Sequence, residues 1–382
     1  MKKIIIATNQ LVIGGIEKGL IDLLNILSEK YDITLMVQYA GGELYDDIPK
    51  SVTVELIDNC NSMRERLSQN KTLLSKFKCI HNYLKLRISK QYSDQCEILT
   101  NLYKKRNEYY DLAIAYSTPV SISNYYIINN VNAHKKIMFL HNDVKEINVS
   151  AFESEDLYKQ FDAILAVSEI AKQHFLEYFP YLKLKTSVFH NLINEKLIKE
   201  NSDEFIPDSF LTDYVHITTV GRLEFEKGQD IIPEVIYELK QKKINIMWHL
   251  IGDGALKSKI IEKAKRLGVM ENIIFEGFQK NPYVYIKGCD LYVQTSRQEG
   301  FGITIAEAMI LNKVIVSTSF PSIYEQITNG ENGFIVDYNP VKMSNIIFKI
   351  LSNDELRSKV NNNLLSFKYA NDIDLIINLL ED

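Results

Sequence analysis

Glu299 and Glu307 stand eight positions apart around the run Gly300-Phe301-Gly302-Ile303-Thr304-Ile305-Ala306. The glycines make a turn, and the apolar spacing from Ile303 to Leu311 opens a helix. At such a helix start, free backbone N–H groups and the positive dipole end favour an anion. An earlier turn supplies cations. In Gly221-Arg222-Leu223-Glu224-Phe225-Glu226-Lys227-Gly228, Arg222 and Lys227 lie five positions apart between glycines. Arg can fork two phosphate oxygens and Lys adds a point charge; solvated surface cations are the plain alternative. Leu250-Ile251-Gly252-Asp253-Gly254 and Glu276-Gly277-Phe278 close two further strands with glycine turns. Each turn is weak alone, but four at one set of strand ends describe a site for a phosphorylated sugar. Two carboxylates could instead serve glycoside hydrolysis, which needs its pair about 5 to 10 Å apart. A helix over 299–307 would span about 12 Å, and the cations favour a nucleotide sugar.

The first half carries fewer signals. Gly14-Gly15-Ile16-Glu17 follows the first strand, where paired glycines permit a tight turn and bring N–H groups to a ligand. Glu17 could orient or deprotonate an acceptor, or be an ordinary helix-start carboxylate. His141 closes a strand beside Asn142 and Asp143, as a functional imidazole or a packing residue. No GxGxxG follows either half's first strand, which disfavours a dinucleotide site. No Asp-x-Asp stands at a strand end suited to a metal ion, since Asp372-Ile373-Asp374 falls at the terminal helix and Asp46-Asp47 in a loop; no metal site is expected.

The elements that must hold these residues follow a βαβ rhythm. Strands are expected at 3–7, 33–38, 53–58, 111–115, 136–140, 163–167 and 186–189, then at 216–220, 246–251, 273–276, 291–295 and 314–317. The fold class is α/β, two doubly wound Rossmann-like domains facing across a cleft, with ligands outside the strands' carboxyl ends. Polar residues around Pro207 read as a linker. The expected domains are 1–200, 201–365 and a terminal helix 366–382 that packs back on the first. Length, 46% hydrophobic and 24% charged residues describe a globular protein of two domains. A net charge of −5 gives no support for nucleic-acid binding. Four cysteines without metal or CxxC spacing suggest reduced thiols, and the apolar start, broken at Thr8-Asn9-Gln10, reads as a strand rather than an export signal. A cytoplasmic protein is expected, with peripheral contact to the inner face of the membrane.

The motifs "GRLEFEKG", "HLIGDG", "NIIFEGF" and "TSRQEGFGITIAEAM", in this order, resemble family 4 of the retaining glycosyltransferases, with the two-domain GT-B fold. The resemblance is strong over 215–337 and looser in the first half, where it rests on Gly14 to Glu17, His141 and Val167-Ser168-Glu169. It implies that Arg222 and Lys227 hold the donor's diphosphate with N–H groups at Gly15, Ile303 and Thr304. Glu307 would take the ribose hydroxyls and Glu299 those of the donor sugar, with Gly300, Phe301 and Gly302 shaping the turn. Gly252 would stand at the donor site, the backbone near Phe278 would meet the base, and His141 the sugar ring. The implied donor is a UDP-sugar, with no cofactor, and the acceptor a glycan or lipid-linked glycan. Thr295, Leu311-Asn312-Lys313 and 319–325 depart from the family pattern, which bears on donor identity more than on reaction class.

A retaining hexosyltransferase of capsule or cell-surface polysaccharide synthesis is the reading these features favour. A nucleotide-sugar epimerase and a non-catalytic sugar-binding protein are the rivals. Between residues 64 and 90, Arg64, Arg66, Lys71, Lys76, Lys78, Lys85, Arg87 and Lys90 stand against Glu65 alone, a net +7. Leu73, Phe77, Ile80, Leu84 and Ile88 recur there at helical spacing. This reads as a basic amphipathic helix suited to an anionic membrane surface, or as a helix that buries its stripe in the core.

Overall fold

The computed structural model describes every residue except 13, 59, 61–62, 70–71, 146–154 and 382, so Lys71 lies outside the described residues. Contacts divide the chain into two units, Met1–Leu192 with Asn371–Asp382, and Ile193–Ala370.

The first unit holds β1 (Lys3–Thr8), β2 (Asp32–Val37), β3 (Thr53–Leu56), β4 (Tyr109–Ala115), β5 (Asn132–Leu140), β6 (Ala163–Ala166) and β7 (Thr186–Val188). Its helices are α1 (Gly15–Leu27), α2 (Met63–Gln69), α3 (Leu73–Ile88), α4 (Tyr92–Leu102), α5 (Ile122–Asn130), α6 (Glu155–Tyr158) and α7 (Glu169–Tyr178). The strands pair in the order β3-β2-β1-β4-β5-β6-β7, all parallel. Such a sheet is covered on both faces and reads as continuous apolar runs. In β1, Ile4 and Ile6 join one core cluster with Leu20, Leu23 and Leu24 of α1, while Ile5 and Ala7 join another with Tyr126 and Ile127 of α5. One strand thus anchors helices on both sides through simple alternation.

The second unit begins with α8 (Glu195–Asn201) and carries β8 (Val215–Val220), β9 (Ile246–Ile251), β10 (Ile273–Gly277), β11 (Leu291–Gln294), β12 (Ile315–Thr318) and β13 (Phe334–Val336). With them run α9 (Ile232–Gln241), α10 (Lys257–Leu267), α11 (Tyr283–Gly288), α12 (Ile303–Ile310), α13 (Pro340–Leu351) and α14 (Asp354–Leu365). Strand order is β10-β9-β8-β11-β12-β13, again parallel. The stretch read as a linker is packed. Ile193 and Ile198 cluster with Ala306 and Ile310 of α12, and Phe210 stacks on the rings of His216 and His249 at 4.7 and 3.9 Å. Its few apolar residues are spent on contacts distant in sequence, which local composition does not reveal.

Finally α15 (Ile373–Glu381) belongs to the first unit, where Ile376 and Leu380 join the core that holds α1. Asp372 secures its start, accepting from the backbone N–H of His190 at 2.9 Å and lying 2.8 Å from that residue's Nδ1.

Candidate active site

Strand order fixes where each site stands. In the second unit the order turns about β8 and β11, neighbours whose following connections lead away in opposite directions, the switch point at which open α/β sheets bind ligands. The turn after β8 carries Arg222 and Lys227, and the turn after β11 carries Glu299 to Gly302. The fold therefore places the cationic and acidic turns on adjacent strand ends.

The two turns are joined by a charged contact. Lys227 Nζ donates to Glu299 Oε2 at 2.7 Å, with the lysine side chain 22% and the carboxylate 9% exposed. The other carboxylate oxygen accepts from Gln294 Nε2 at 3.0 Å and Ser296 Oγ at 2.7 Å. Thr295 Oγ1 donates to the Lys227 carbonyl at 2.9 Å, so the lysine is held at backbone and side chain. Arg222 is more exposed and pairs with Glu226 at 3.6 Å. The two cations share a turn but reach different carboxylates.

Gly228 ends that turn at φ +66, and a Cβ there would run into the Thr295 carbonyl oxygen and lie 2.8 Å from the Tyr338 ring. Only glycine suits both the left-handed backbone and the close approach. Gly302, at φ +88, is the N-cap of α12. It swings the chain so that the first N–H groups of α12, those of Ile303 and Thr304, have no acceptor within the helix and lie next to the Glu299 turn. Phe301 beside it is buried, and its carbonyl accepts from Gln326 Nε2. Gly300 lies between Phe301 and Glu299, whose carbonyl accepts from Ser322 Oγ at 3.0 Å. Gly252 follows β9 and donates its N–H to the Gly277 carbonyl at 2.7 Å, while Phe278, half exposed, follows β10. Glu307 is buried within α12, with its Oε1 accepting from Tyr283 Oη at 3.2 Å. One glutamate is thus tied to Lys227 and the other to Tyr283.

Sequence reasoning missed the residues that hold these in place. Arg297 lies 4.3 Å from the ring centres of both Phe225 and Tyr338, donates to the Phe225 carbonyl at 2.6 Å and pairs with Asp230 at 2.9 Å. Burial alone would raise the Asp230 carboxyl; Arg297, with Tyr338 and Lys259, outweighs it and holds it below the ordinary carboxylate range. Gln294, Ser296, Arg297 and Tyr283 gave no spacing signal, because their roles arise from partners far along the chain. Asn312 sits at φ +55, a left-handed backbone that asparagine tolerates better than most residues.

In the first unit the order turns about β1 and β4. Gly14 caps α1 after β1, Gly15 is its first residue, and the Glu17 carboxylate folds back over Gly14. His141 follows β5, buried, its ring stacked on Phe139 at 5.3 Å and tilted against Tyr116 at 4.3 Å. Burial pushes its imidazole down to about 3, opposed in part by Asn191. At neutral pH it is an uncharged hydrogen-bonding group. Nearby, Asp143 and His174 Nδ1 lie 2.5 Å apart. Among the described residues no three of His, Cys, Asp and Glu gather as a metal ion would require.

Residues 201–365 match the family model described as glycosyl transferases group 1. An uncharacterized glycosyltransferase of Methanocaldococcus jannaschii is 29% identical over 236 residues, 59% of this chain and 57% of that protein. The N-acetylgalactosamine-N,N'-diacetylbacillosaminyl-diphospho-undecaprenol 4-alpha-N-acetylgalactosaminyltransferase of Campylobacter jejuni is 26% identical over 230 residues, 59% of this chain and 60% of that protein. The chain thus spans somewhat more than half the length of these relatives. Among solved structures, Anabaena HepE in complex with UDP-glucose superposes with a TM-score of 0.72 at 18% identity, covering 100% of this chain and 99% of that one. The fold is that of the GT-B glycosyltransferases, two Rossmann-like domains, and the stretch similar to glycosyl transferases group 1 lies in the second unit.

Proposed function

We propose that this chain is a retaining glycosyltransferase that moves a hexose from a nucleotide diphosphate sugar, a UDP-sugar, to a hydroxyl of a glycan or lipid-linked glycan in cell-surface polysaccharide synthesis. The observation that carries the proposal is the Lys227–Glu299 pair, 2.7 Å apart, at the switch point beside the start of α12. The names of the relatives support it: one acts on a diphospho-undecaprenol-linked sugar and forms an alpha linkage, and one solved neighbour binds UDP-glucose.

Breaking the bond between the sugar's C1 and the diphosphate oxygen leaves negative charge on that oxygen. Lys227, Arg222 and the N–H groups of Ile303 and Thr304 stabilise the charge as it grows. The acceptor oxygen bonds to C1, and its proton passes to the departing phosphate. Glu299 holds sugar hydroxyls and Glu307 the ribose. Transfer without a metal ion and a cytoplasmic site of action belong to the same proposal.

The test is turnover of a nucleotide-sugar panel with and without lipid-linked acceptors, the product's anomeric configuration being read by NMR. Retained configuration with UDP-sugars supports the reading; epimerised donor, or binding without turnover, overturns it. Lys227→Ala and Glu299→Ala should each lower kcat by about 10² to 10³, and near-normal turnover in either would refute the site.

A further inference from the structure

Helix α3 turns an apolar stripe away from its own fold. Its packing side is Cys79, buried, with Ser75, Asn82, Tyr83 and Leu86 partly covered where the helix meets α4. At roughly 100° per residue these positions share one side of the helix, and Leu73, Phe77, Ile80, Leu84 and Ile88 share the other. Leu73 is 78% exposed, Phe77 70%, Leu84 56% and Ile88 77%. An amphipathic helix normally secures itself by burying such a stripe; left in solvent, it marks an interaction surface. The helix is also locally fixed, for Thr72 and Ser75 form a capping box at its start.

Charge decides what fits this surface. Lys76 and Arg87 fall on one flank of the stripe and Lys78 and Lys85 on the other, all exposed, with Lys90 just beyond the helix. Their stems can lie along apolar surface while the charged heads reach outward. Residues 64–90 carry +7 in a chain of −5, so the remainder carries −12. A second copy docked on this stripe would set like charges against like. The fitting partner is apolar within and anionic at its surface. Among the described residues no helix is long and apolar enough to cross a membrane, so attachment here is lateral.

We propose that α3 lies in the plane of an anionic lipid bilayer, with Leu73, Phe77, Leu84 and Ile88 in the headgroup boundary and Lys76, Lys78, Lys85 and Arg87 on the lipid phosphates. The inference uses no residue of either strand-end site, so it stands or falls apart from the donor chemistry. It would bring the first unit to an acceptor carried on a lipid.

Co-sedimentation of the full chain with vesicles tests it. Binding is expected to phosphatidylcholine vesicles containing one third phosphatidylglycerol and not to phosphatidylcholine alone. Phe77→Ser with Leu84→Ser should weaken binding at least about tenfold. Neutralising each lysine should cost roughly fivefold, so Lys78→Gln with Lys85→Gln costs roughly 25-fold. Circular dichroism and nucleotide-induced thermal shift, unchanged in both variants, show that the fold is intact. Equal binding to neutral vesicles, or undiminished binding by either double variant, overturns the proposal. So does a concentration-dependent dimer in sedimentation velocity that Phe77→Ser with Leu84→Ser dissolves, since the occupant is then another copy.

Discussion

His141 ties the end of β5 to acid stability. Its ordinary value is 6.5 and its folded value about 3, so below pH 6.5 the unfolded chain takes up a proton that the folded chain refuses. The stabilising effect is complete above 6.5 and is lost as pH falls toward 3, by about 1.4 kcal/mol per pH unit. Between about pH 7.5 and about pH 5, the wild type should therefore lose about 2 kcal/mol more than His141→Phe, read from urea midpoints. A pH-independent difference between the two would show that the imidazole protonates in the folded state. Spacing could place this histidine at a strand end but could not show its burial, which depends on Tyr116 and Phe139 from the strands beside and before it.

Two turns must hold register for the second unit's site to exist, and Arg297 joins them. Removing it in Arg297→Met leaves Asp230, whose side chain is 9% exposed, short of its nearest cation, with Lys259 still 3.4 Å away. A stability loss of about 1–3 kcal/mol is expected. Asp230→Asn in the same chain should restore part of it, so a double-mutant cycle with no coupling would dismiss the clamp. Gly228→Ala should cost at least about 1–3 kcal/mol from backbone strain alone, with transfer reduced as the Lys227 turn shifts. Unchanged thermal stability would refute that account. The strands were legible because parallel strands buried on both faces are β-branched runs; 246–251 was expected and found with the same ends. Phe334–Val336 was not, since three residues between turn formers show no period and become a strand only by pairing with β12. In α3 the period was legible but its direction was not. The side that packs holds Cys79, Asn82 and Tyr83, less apolar than the side left in solvent.

For the chain as a whole, the residues proposed to bind the donor are concentrated in the second unit, and ligand binding should be readable there. UDP at 100 times its Kd should stabilise the folded state by about 2.7 kcal/mol. Hydrogen exchange should slow over 222–228 and 299–304, and protection confined to the first unit would move the donor site. Alternating strands and helices announced two Rossmann-like domains, but the packing of α8 and Phe210 with the second required contacts no local pattern carries. One consequence lies in α15. Its chain arrives from the second unit, yet Ile376 and Leu380 are buried in the first. The backbone therefore passes between the units twice, and one proteolytic nick in the exposed stretch 203–206 should release neither fragment under native conditions. The amino-terminal piece stays clasped by a helix that is covalently part of the other, and separation requires a second cut near 370 or a denaturant.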